Sequence, residues 1–460
     1  MGALDQYIAL WQEHGDLLVS KSPDALNRLR AAAASSLVEQ GLPSQNDEDY
    51  KFTDLEKILS PDYGINIGRV KIDVNPSDTF RCDVPQLSTS LFLVVNDSFA
   101  ETVGCRDLLP EGVDVVSLAS YARSNPEFVE KFYGSLADIS NPIVALDTLL
   151  CQDGVVIRVR KGVKVEPTIQ FVNIFQNVAP LLAARRILIV MEEDSEAKVL
   201  VCDHTQTSDV AFCALQVVEV FAAKGSRLDF YDLEESTQNT SRLSSLWLSQ
   251  EEGSEVLLDS MTLYNGTTRN EFFARFAGRH AKLRMLGMGI EDERRRLDTY
   301  SRIAHEVPDC TTDELFKYVV DDDAMGAFAG LIYVAEGASK TEAYQSNRNL
   351  VGSEKAVMHS KPQLEIYNDD VKCSHGTAIG QLDEKQLFYM MTRGISEDQA
   401  RLMLKQAFMS DVIDGISLPP LRDRLKLMVE RRFAGEKSAC SACAPWKAGL
   451  PACAHARQTT

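Results

Sequence analysis

The stretch that decides the fold spans residues 215–258 and reads LQVVEVFAAKGSRLDFYDLEESTQNTSRLSSLWLSQEEGSEVLL. Aliphatic runs at Leu215–Val220, Leu228–Tyr231 and Val256–Leu258 are typical of strands, and the first two alternate apolar with polar residues. Two similar small turns, Lys224-Gly225-Ser226 and Glu252-Gly253-Ser254, separate them. The stretch therefore predicts strands joined by polar turns that recur at a fixed interval.

The same pattern of strand-like runs and polar turns extends on both sides, over residues 146–385. Further strand-like runs are Val155–Val159, Ile169–Ile174, Ile187–Val190, Val199–Val201 and Leu283–Leu286, and further turns are Lys161-Gly162-Val163, Glu193-Asp194-Ser195, Ala277-Gly278-Arg279 and Glu336-Gly337-Ala338. Turn centres lie about 25–33 residues apart, except that the last interval is about twice as long. Strands without helices at this period favour a parallel β-helix, since a β-sandwich repeats every ~8–12 residues.

We expect residues 1–145 to form a mixed N-terminal domain. Its first segment, Leu4–Gln40, has apolar residues at helical spacing, and Ser22-Pro23 resembles an N-cap followed by proline at the first helical position. Further on, Leu91–Val95 predicts a buried strand and Glu127–Tyr133 a helix. The segment contains no motif that points to chemistry.

Residues 386–434 predict a C-terminal helical domain. Ser396 and Gln399 have the spacing of a capping box, and Pro419-Pro420 is placed to begin a second helix. Both helices carry an apolar stripe. They either close the solenoid or offer a surface to a partner, and the sequence leaves both open.

Residues 435–460 form a tail in which we expect no regular structure. It contains Cys440, Cys443, Cys453 and His455. Thiolates and an imidazole at such spacings can bind zinc or another soft metal, although Cys-x-His is atypical of zinc modules. The alternative is a tail of reduced thiols without metal, and the sequence favours it.

Composition excludes several classes of function. The chain of 460 residues has 45% hydrophobic and 25% charged residues and a net charge of −19. Such an anionic surface disfavours binding to nucleic acid or anionic lipid. No apolar run approaches the ~20 residues of a membrane span, and the N-terminus lacks a secretory pattern. We therefore expect a cytosolic protein whose ten cysteines are reduced thiols.

The segment with candidate metal ligands begins at Lys361 and centres on Cys373 and His375. These residues are two apart, so an extended strand would place both side chains on one face. A thiolate and an imidazole together suit iron, zinc or copper, and Asp369 and Asp370 could add oxygen donors or orient the histidine. The pair could also be incidental. A Cys–His nucleophile is disfavoured because the two side chains would lie ~7 Å apart.

From about residue 297 to 416 the sequence closely resembles the SufD family, with its sister SufB, of the SUF iron–sulfur assembly system. The residues that carry the resemblance are Phe52–Leu55, Phe328–Val334, Gly337–Ala343, Asn347–Leu350, Lys361–Tyr367, Cys373–Gly376, Gly380–Leu382 and Leu387–Tyr389. The Cys-Ser-His-Gly run at 373–376 is typical of SufD, whereas SufB carries a different run there. Tyr367-Asn368 departs slightly from the Tyr-Ala usual in the family.

The resemblance implies a right-handed parallel β-helix between an N-terminal mixed helical domain and a C-terminal helical domain. It implies pairing with a SufB-like subunit through the β-helix and docking of a SufC-like ATPase through the C-terminal helices. His375, supported by Cys373, would then bind a transient iron–sulfur cluster shared with the partner. The chain has no Gly-x-x-x-x-Gly-Lys-Ser/Thr phosphate loop, so we expect a scaffold and not an enzyme.

Three alternatives remain at this point. The chain could be the SufB-like subunit that accepts persulfide sulfur, or a structural partner in which Cys373 and His375 are bystanders. A β-helix enzyme such as a polysaccharide lyase is disfavoured because those enzymes are typically secreted. Flavin binding, the cluster type, the iron source and homodimerisation without SufB are not determined by the sequence.

Overall fold

The computed structural model of the protein describes residues 2–70, 89–100, 109–205 and 209–435. The elements before the repetitive part are α1 (Ala3–Lys21), α2 (Asp24–Asn27), α3 (Arg30–Gln40), a 3-10 turn (Glu48–Tyr50), α4 (Leu55–Leu59), β1 (Thr89–Val95), β2 (Ser98–Ala100), β3 (Val113–Ser117), α5 (Leu118–Ser124), α6 (Pro126–Phe132) and α7 (Pro142–Leu150). The strand and helix predicted at residues 91–95 and 127–133 are thereby confirmed. No helix within the described ranges is both long enough and apolar enough to cross a bilayer.

In the part of the chain that the structure describes, sixteen consecutive strands follow, with no helix between them. They are β4 (Gly154–Val159), β5 (Thr168–Phe175), β6 (Leu181–Met191), β7 (Glu196–Thr205), β8 (Phe212–Ala222), β9 (Arg227–Glu235), β10 (Thr240–Gln250), β11 (Glu255–Tyr264), β12 (Thr267–Phe276), β13 (Lys282–Glu291), β14 (Arg296–His305), β15 (Thr311–Val320), β16 (Met325–Val334), β17 (Thr341–Val351), β18 (Val357–Ile366) and β19 (Val371–Gly380).

The strands alternate between two parallel sheets. Odd-numbered strands from β5 to β19, extended by β1 and β2, form sheet 1, and even-numbered strands from β4 to β18, extended by β3, form sheet 2. Side chains on the inner faces of the two sheets share one apolar core that runs from Phe92 to Met358. This arrangement is a parallel β-solenoid, and the predicted fold class is confirmed.

The predicted turns stack into a column along one edge of the solenoid. Asp194, Gly225 and Gly253 all have φ between 56° and 67°. The amide of Asp194 donates to the Lys224 carbonyl, and that of Gly225 donates to the Glu252 carbonyl, both over 2.9 Å. At Gly225 a Cβ would lie 2.4 Å from a carboxylate oxygen of Asp194. The repeat of glycine turns in the sequence therefore reflects the stacking of coils.

The doubled interval between the last two predicted turns does not correspond to a longer coil. A turn lies between them at Asp309, whose φ is 62° and whose amide donates to the Ser339 carbonyl over 2.9 Å. Aspartate tolerates this left-handed conformation better than most residues, so the turn forms without glycine. The absence of glycine is why the sequence pattern did not reveal it.

The N-terminal helices pack against the outer face of sheet 2, and Arg30 is central to their packing. Its buried guanidinium donates to the carbonyls of Leu149 and Cys151 at the end of α7, at 2.5 and 2.6 Å, and to the Ser22 hydroxyl at 3.0 Å. Because the Ser22 hydroxyl is occupied in this way, it does not cap the start of α2. The predicted cap is wrong by one residue, since Pro23 is the N-cap of α2.

The C-terminal elements α8 (Glu384–Thr392), α9 (Glu397–Ile413) and α10 (Pro419–Phe433) follow the solenoid. The hydroxyl of Ser396 accepts from the Gln399 amide over 3.3 Å, which confirms the predicted cap, whereas α8 was not predicted. Apolar side chains of α9 and α10 cover the outer face of sheet 1. Helices α9 and α10 therefore cover the side of the solenoid, and among the described residues its end, at β18 and β19, stays open. The tail with Cys440, Cys443, Cys453 and His455 lies outside the described residues.

Two cations anchor these helices to sheet 1. The Lys317 ammonium donates to the Phe408 carbonyl over 2.7 Å and pairs with Asp411. Arg432 donates to the Leu263 carbonyl over 2.8 Å and pairs with Asp292. Buried hydrogen bonds from charged donors to carbonyl groups contribute more than neutral ones. These two cations therefore fix the position of the C-terminal helices on the solenoid.

Asp259 lies on β11 beneath the C-terminal helices, and its burial predicts that the free energy of unfolding depends on pH. Its carboxylate oxygens have no hydrogen-bond partner among the described residues, and burial raises the pKa of Asp259 to about 8 although Arg284 opposes this. The folded protein thus holds a proton that the unfolded chain releases near pH 4, and the free energy of unfolding falls as pH rises between these values. Asp259→Asn should remove this loss and stabilise the protein by about 2–3 kcal/mol at pH 8.5.

Thermal unfolding at pH 5 and pH 8.5 tests this expectation. The melting temperature of Asp259→Asn should exceed that of the parent mainly at pH 8.5. Asp313→Asn is a suitable control, since Asp313 is exposed on the same sheet and pairs with Arg284. An equal effect of Asp259→Asn at both pH values would show that Asp259 is already ionised in the fold.

Candidate functional site

The site lies on the last coil of the solenoid, where both sheets end. Strand β19 pairs with β17 and β18 pairs with β16, and neither has a further neighbour among the described residues. In β17, residues alternate between buried and less buried positions because its inner face packs in the solenoid and its outer face is open. Strand β19 has the same alternation only at its start and is then exposed. The end of the solenoid is therefore an open rim.

Cys373 and His375 lie on the same face of β19, as predicted. Cys373 aligns with Ala343 and His375 with Gln345 in the parallel register, so both belong to the inner face. The Cys373 side chain packs against the buried apolar cluster of Ile332, Val334, Ala338 and Ala343. His375 is exposed at the rim. The two side chains are thus held at the mouth of the solenoid by the strand itself.

The thiol and the imidazole differ in how readily they can bind a metal. Burial raises the pKa of the Cys373 thiol, and only the thiolate is a metal ligand. The imidazole of His375 is exposed, so a metal can reach it without displacing apolar neighbours. A thiolate and an imidazole are both donors that iron accepts, and two donors leave room for ligands from elsewhere. The described part of β19 therefore brings together two potential metal donors.

The neighbouring carboxylates do not complete the site. Asp369 and Asp370 lie in the turn before β19, where the Asp370 amide donates to the Asn368 side chain over 2.9 Å. The Asp370 carbonyl accepts from the Lys340 amide over 2.6 Å, so the turn is fixed by its backbone. No three His, Cys, Asp or Glu side chains in the described parts of the chain are placed to hold a metal. A role of Asp369 and Asp370 as oxygen donors therefore stays a prediction.

A chain of hydroxyl and amide groups crosses the mouth of the solenoid. Thr377 on β19 donates to Ser360 on β18 over 2.6 Å, and Ser360 donates to the Asn347 side chain on β17 over 2.6 Å. Asn347 lies in a segment that carries the family resemblance, but a polar chain through Asn347, Ser360 and Thr377 was not predicted. They could have been found only from the register, which places Asn347 beside Thr377 across thirty residues of chain.

The N-terminal domain braces the last coil from outside. Phe52 stacks on His359 of β18 with ring centroids 4.1 Å apart and an interplanar angle of 12°. Thr53 donates to the Asp298 carboxylate over 2.5 Å, and Lys361 of β18 pairs with Glu48. The Phe52–Leu55 motif therefore has a structural role next to the site.

Apolar side chains are exposed on the same rim. The exposed fractions are 40% for Ile366, 58% for Tyr367 and 49% for Ile379. Together with the unpaired edges of β18 and β19, they form what we call the rim surface, residues 366–367 and 371–380. Open strand edges and exposed apolar patches both favour association with another chain.

Comparison with known families identifies the chain. Residues 174–408 match the family described as SUF system FeS cluster assembly, SufBD core domain, and residues 1–171 match the SufBD protein N-terminal region. The chain belongs to the SufBD family. It is thus a SufBD-family protein of iron–sulfur cluster assembly, as the resemblance of residues 297–416 predicted.

Three SufBD relatives resemble the chain over most of its length. A SufBD family protein of Synechocystis is 27% identical over 425 residues, covering 90% of this chain and 93% of the relative. The iron–sulfur cluster assembly protein SufD of Escherichia coli is 25% identical over 437 residues, covering 94% and 97%. SufD of Bacillus subtilis is 24% identical over 360 residues, covering 76% and 80%. Two of the three are named SufD, in agreement with the prediction from the Cys-Ser-His-Gly run.

Proposed function

We propose that the chain is the SufD-like subunit of a cytosolic scaffold complex that assembles iron–sulfur clusters. It pairs with a SufB-like subunit through the rim surface. His375, supported by Cys373, binds the nascent cluster between the two chains, and iron and sulfide are the substrates. The observation that carries this proposal is the position of both side chains on one inner face of β19, at an edge left without a partner strand.

The incomplete donor set supports a shared site over a resident metal. A stable structural site of this chain alone would need about four protein ligands, and among the described residues only two are brought together here. A partner that covers the rim would exclude water and supply the remaining ligands. A cluster bound in this way could be released when the two chains separate, as a scaffold requires.

A second surface supports docking of a SufC-like ATPase on the C-terminal helices. On α8 the exposed fractions are 68% for Phe388, 58% for Tyr389 and 42% for Met391, and on α9 that of Met403 is 42%. The apolar faces of α9 and α10 are used against sheet 1, so these four side chains lie on the remaining surface. We infer that they are the contact for the ATPase, whose movement would act on the scaffold.

Ile379→Lys tests the pairing with the SufB-like subunit. Adding a charge at a half-exposed apolar position in the rim should weaken the heterodimer at least about tenfold, because the lysine must be desolvated on association. Analytical ultracentrifugation of the two subunits measures this. The same mixtures, with the ATPase, iron, a sulfide source and reductant, report cluster formation by visible absorbance.

Val38→Lys is the matched control. Val38 lies on α3, away from the rim, and is 64% exposed, so the lysine stays in water. This variant should pair and assemble clusters as the parent does. Pairing of Ile379→Lys at parental affinity would exclude the rim as the interface. Full cluster formation by the SufB-like subunit and ATPase without this chain would exclude the scaffold role.

A further inference from the structure

A ladder of three polar side chains lies beneath the rim, inside the solenoid. Glu314 on β15 aligns with Gln345 on β17, and Gln345 aligns with His375 on β19. Adjacent strands lie about 4.8 Å apart, so aligned side chains of this length can touch. Glu314 and Gln345 are 1% and 3% exposed, whereas His375 is exposed. The register thus aligns the proposed cluster ligand with a buried carboxyl group two strands away in the same sheet.

The Gln345 amide is held in one orientation from below. Its Nε2 donates to Oε2 of Glu314 over 2.6 Å, and with Glu314 ionised only the nitrogen can face it at this distance. Gly330 on β16 makes room for the amide, since a Cβ there would lie 2.4 Å from Nε2 and 3.0 Å from Cδ of Gln345. Any residue other than glycine would displace the amide. The oxygen Oε1 is therefore left for a different donor.

That oxygen is buried and accepts no hydrogen bond from any described residue. A buried acceptor without a donor costs about 1–3 kcal/mol. The next side chain in the ladder is His375, whose imidazole carries an N–H donor and whose exposed position leaves its ring free to turn. A hydrogen bond from the imidazole would remove the cost of the unpaired oxygen.

We propose that Gln345 is a positioning residue that accepts a hydrogen bond from the His375 imidazole, and that Glu314 fixes the Gln345 amide for this contact. The inference rests on the proposed role of His375 as a ligand. Donation from one ring nitrogen fixes the tautomer and leaves the lone pair of the other nitrogen facing out of the solenoid, towards the partner. Ligating histidines in metalloproteins usually donate their second N–H in this way.

Glu314 can fulfil this role in either protonation state. Burial raises the pKa of Glu314 to about 7, while the nearby Ser301 hydroxyl and the Gln345 amide oppose the shift. When a proton is bound it can reside on Oε1, which has no partner among the described residues, and Oε2 still accepts from Gln345. The orientation of the amide is thereby maintained.

The first test is the tautomer of His375 in the full-length chain, read from its ¹⁵N chemical shifts after histidine labelling. His375→Ala assigns the signal among the seven histidines. In the parent one tautomer should predominate. Gln345→Met, which keeps the length of the side chain but removes the amide, should shift the signals to the mixture of free imidazole. If this variant does not fold, Gln345→Asn, whose amide is too short to reach both neighbours, takes its place.

The double variant Glu314→Gln, Gln345→Glu is the rescue. There the new amide at 314 donates to the new carboxylate at 345, whose second oxygen can still accept from His375. It should restore the parental tautomer, which a general packing defect would not allow. In the reconstituted complex, Gln345→Met should slow cluster assembly about tenfold, and the double variant should recover most of the rate.

The outcomes separate this inference from the proposed function. An unchanged tautomer in Gln345→Met and Gln345→Asn overturns the inference, even if His375→Ala abolishes assembly. A shifted tautomer with rescue supports it. If the tautomer shifts while both His375→Ala and Gln345→Met assemble clusters at the parental rate, the hydrogen bond stands and the ligand role of His375 fails.

Discussion

Replacing His375 by alanine should slow cluster assembly by the reconstituted complex about tenfold or more while leaving the fold and the complex intact. The imidazole is exposed in the free chain, but its loss would leave the buried Oε1 of Gln345 without its proposed donor, so the melting temperature should fall by no more than about 5 °C. Cys373→Ala should have a smaller effect, about threefold, because burial raises the pKa of the thiol and disfavours the thiolate.

Ser374→Ala is the matched control for these variants. Ser374 lies between the two residues on β19 but on the opposite face, and it is exposed. It should assemble clusters at the parental rate. Assembly is measured by visible absorbance and by transfer of the cluster to an apo-ferredoxin, with heterodimer content checked by ultracentrifugation. Equal rates for His375→Ala and Ser374→Ala in an intact complex would make Cys373 and His375 bystanders.

The sequence carried most of the information about the solenoid because its turns have a chemical requirement. Gly225 and Gly253 mark positions with positive φ that stack from coil to coil, so the glycine period equals the coil length. The pattern failed at Asp309, where an aspartate adopts the same conformation and the sequence shows no glycine. Helix α8 escaped prediction for a different reason, since its exposed Phe388 and Tyr389 break the apolar stripe that marks a packed helix.

The candidate site was predictable only as far as local geometry reaches. The two-residue period of a strand was enough to place Cys373 and His375 on one face. It could not show that this face is the inner one, because that depends on pairing with β17, thirty residues away. For the same reason Gln345 was not recognised. The contact between Phe52 and His359 joins segments some three hundred residues apart, and no spacing rule could have revealed it.

The fold that holds the site depends on a buried ion network, and Arg186→Met should destabilise the protein by about 4–5 kcal/mol. Arg186 on β6 donates to Glu219 over 2.9 and 3.1 Å and to Asp147 over 3.1 Å, and all three side chains are fully buried. Its guanidinium also lies 4.7 Å from the centre of the Tyr133 ring. Methionine fills similar space but leaves two carboxylates without their cation.

Glu219 explains why this loss should reach beyond one contact. Its carboxylate also accepts from the backbone amides of Gly134, Leu136 and Ala137, at 2.8, 3.0 and 3.2 Å, and so ties the loop after α6 to sheet 2. Burial raises the pKa of Asp147 to about 7 despite Arg186. In Arg186→Met we therefore expect Asp147 to take up a proton at neutral pH, whereas Glu219 loses the guanidinium and retains only its three amide contacts. Most of the lost stability should therefore come from the contacts of Glu219.

Urea unfolding followed by circular dichroism measures the effect, with Arg158→Met as the control. Arg158 lies on the neighbouring strand β4 and pairs with Glu192, but a quarter of its side chain is exposed, so its loss should cost less than about 1 kcal/mol. Adding Asp147→Asn and Glu219→Gln to Arg186→Met should recover part of the stability, because no charge is then buried alone. If Arg186→Met were as stable as Arg158→Met, the network would be dispensable, and apolar packing alone would hold the N-terminal helices on the solenoid.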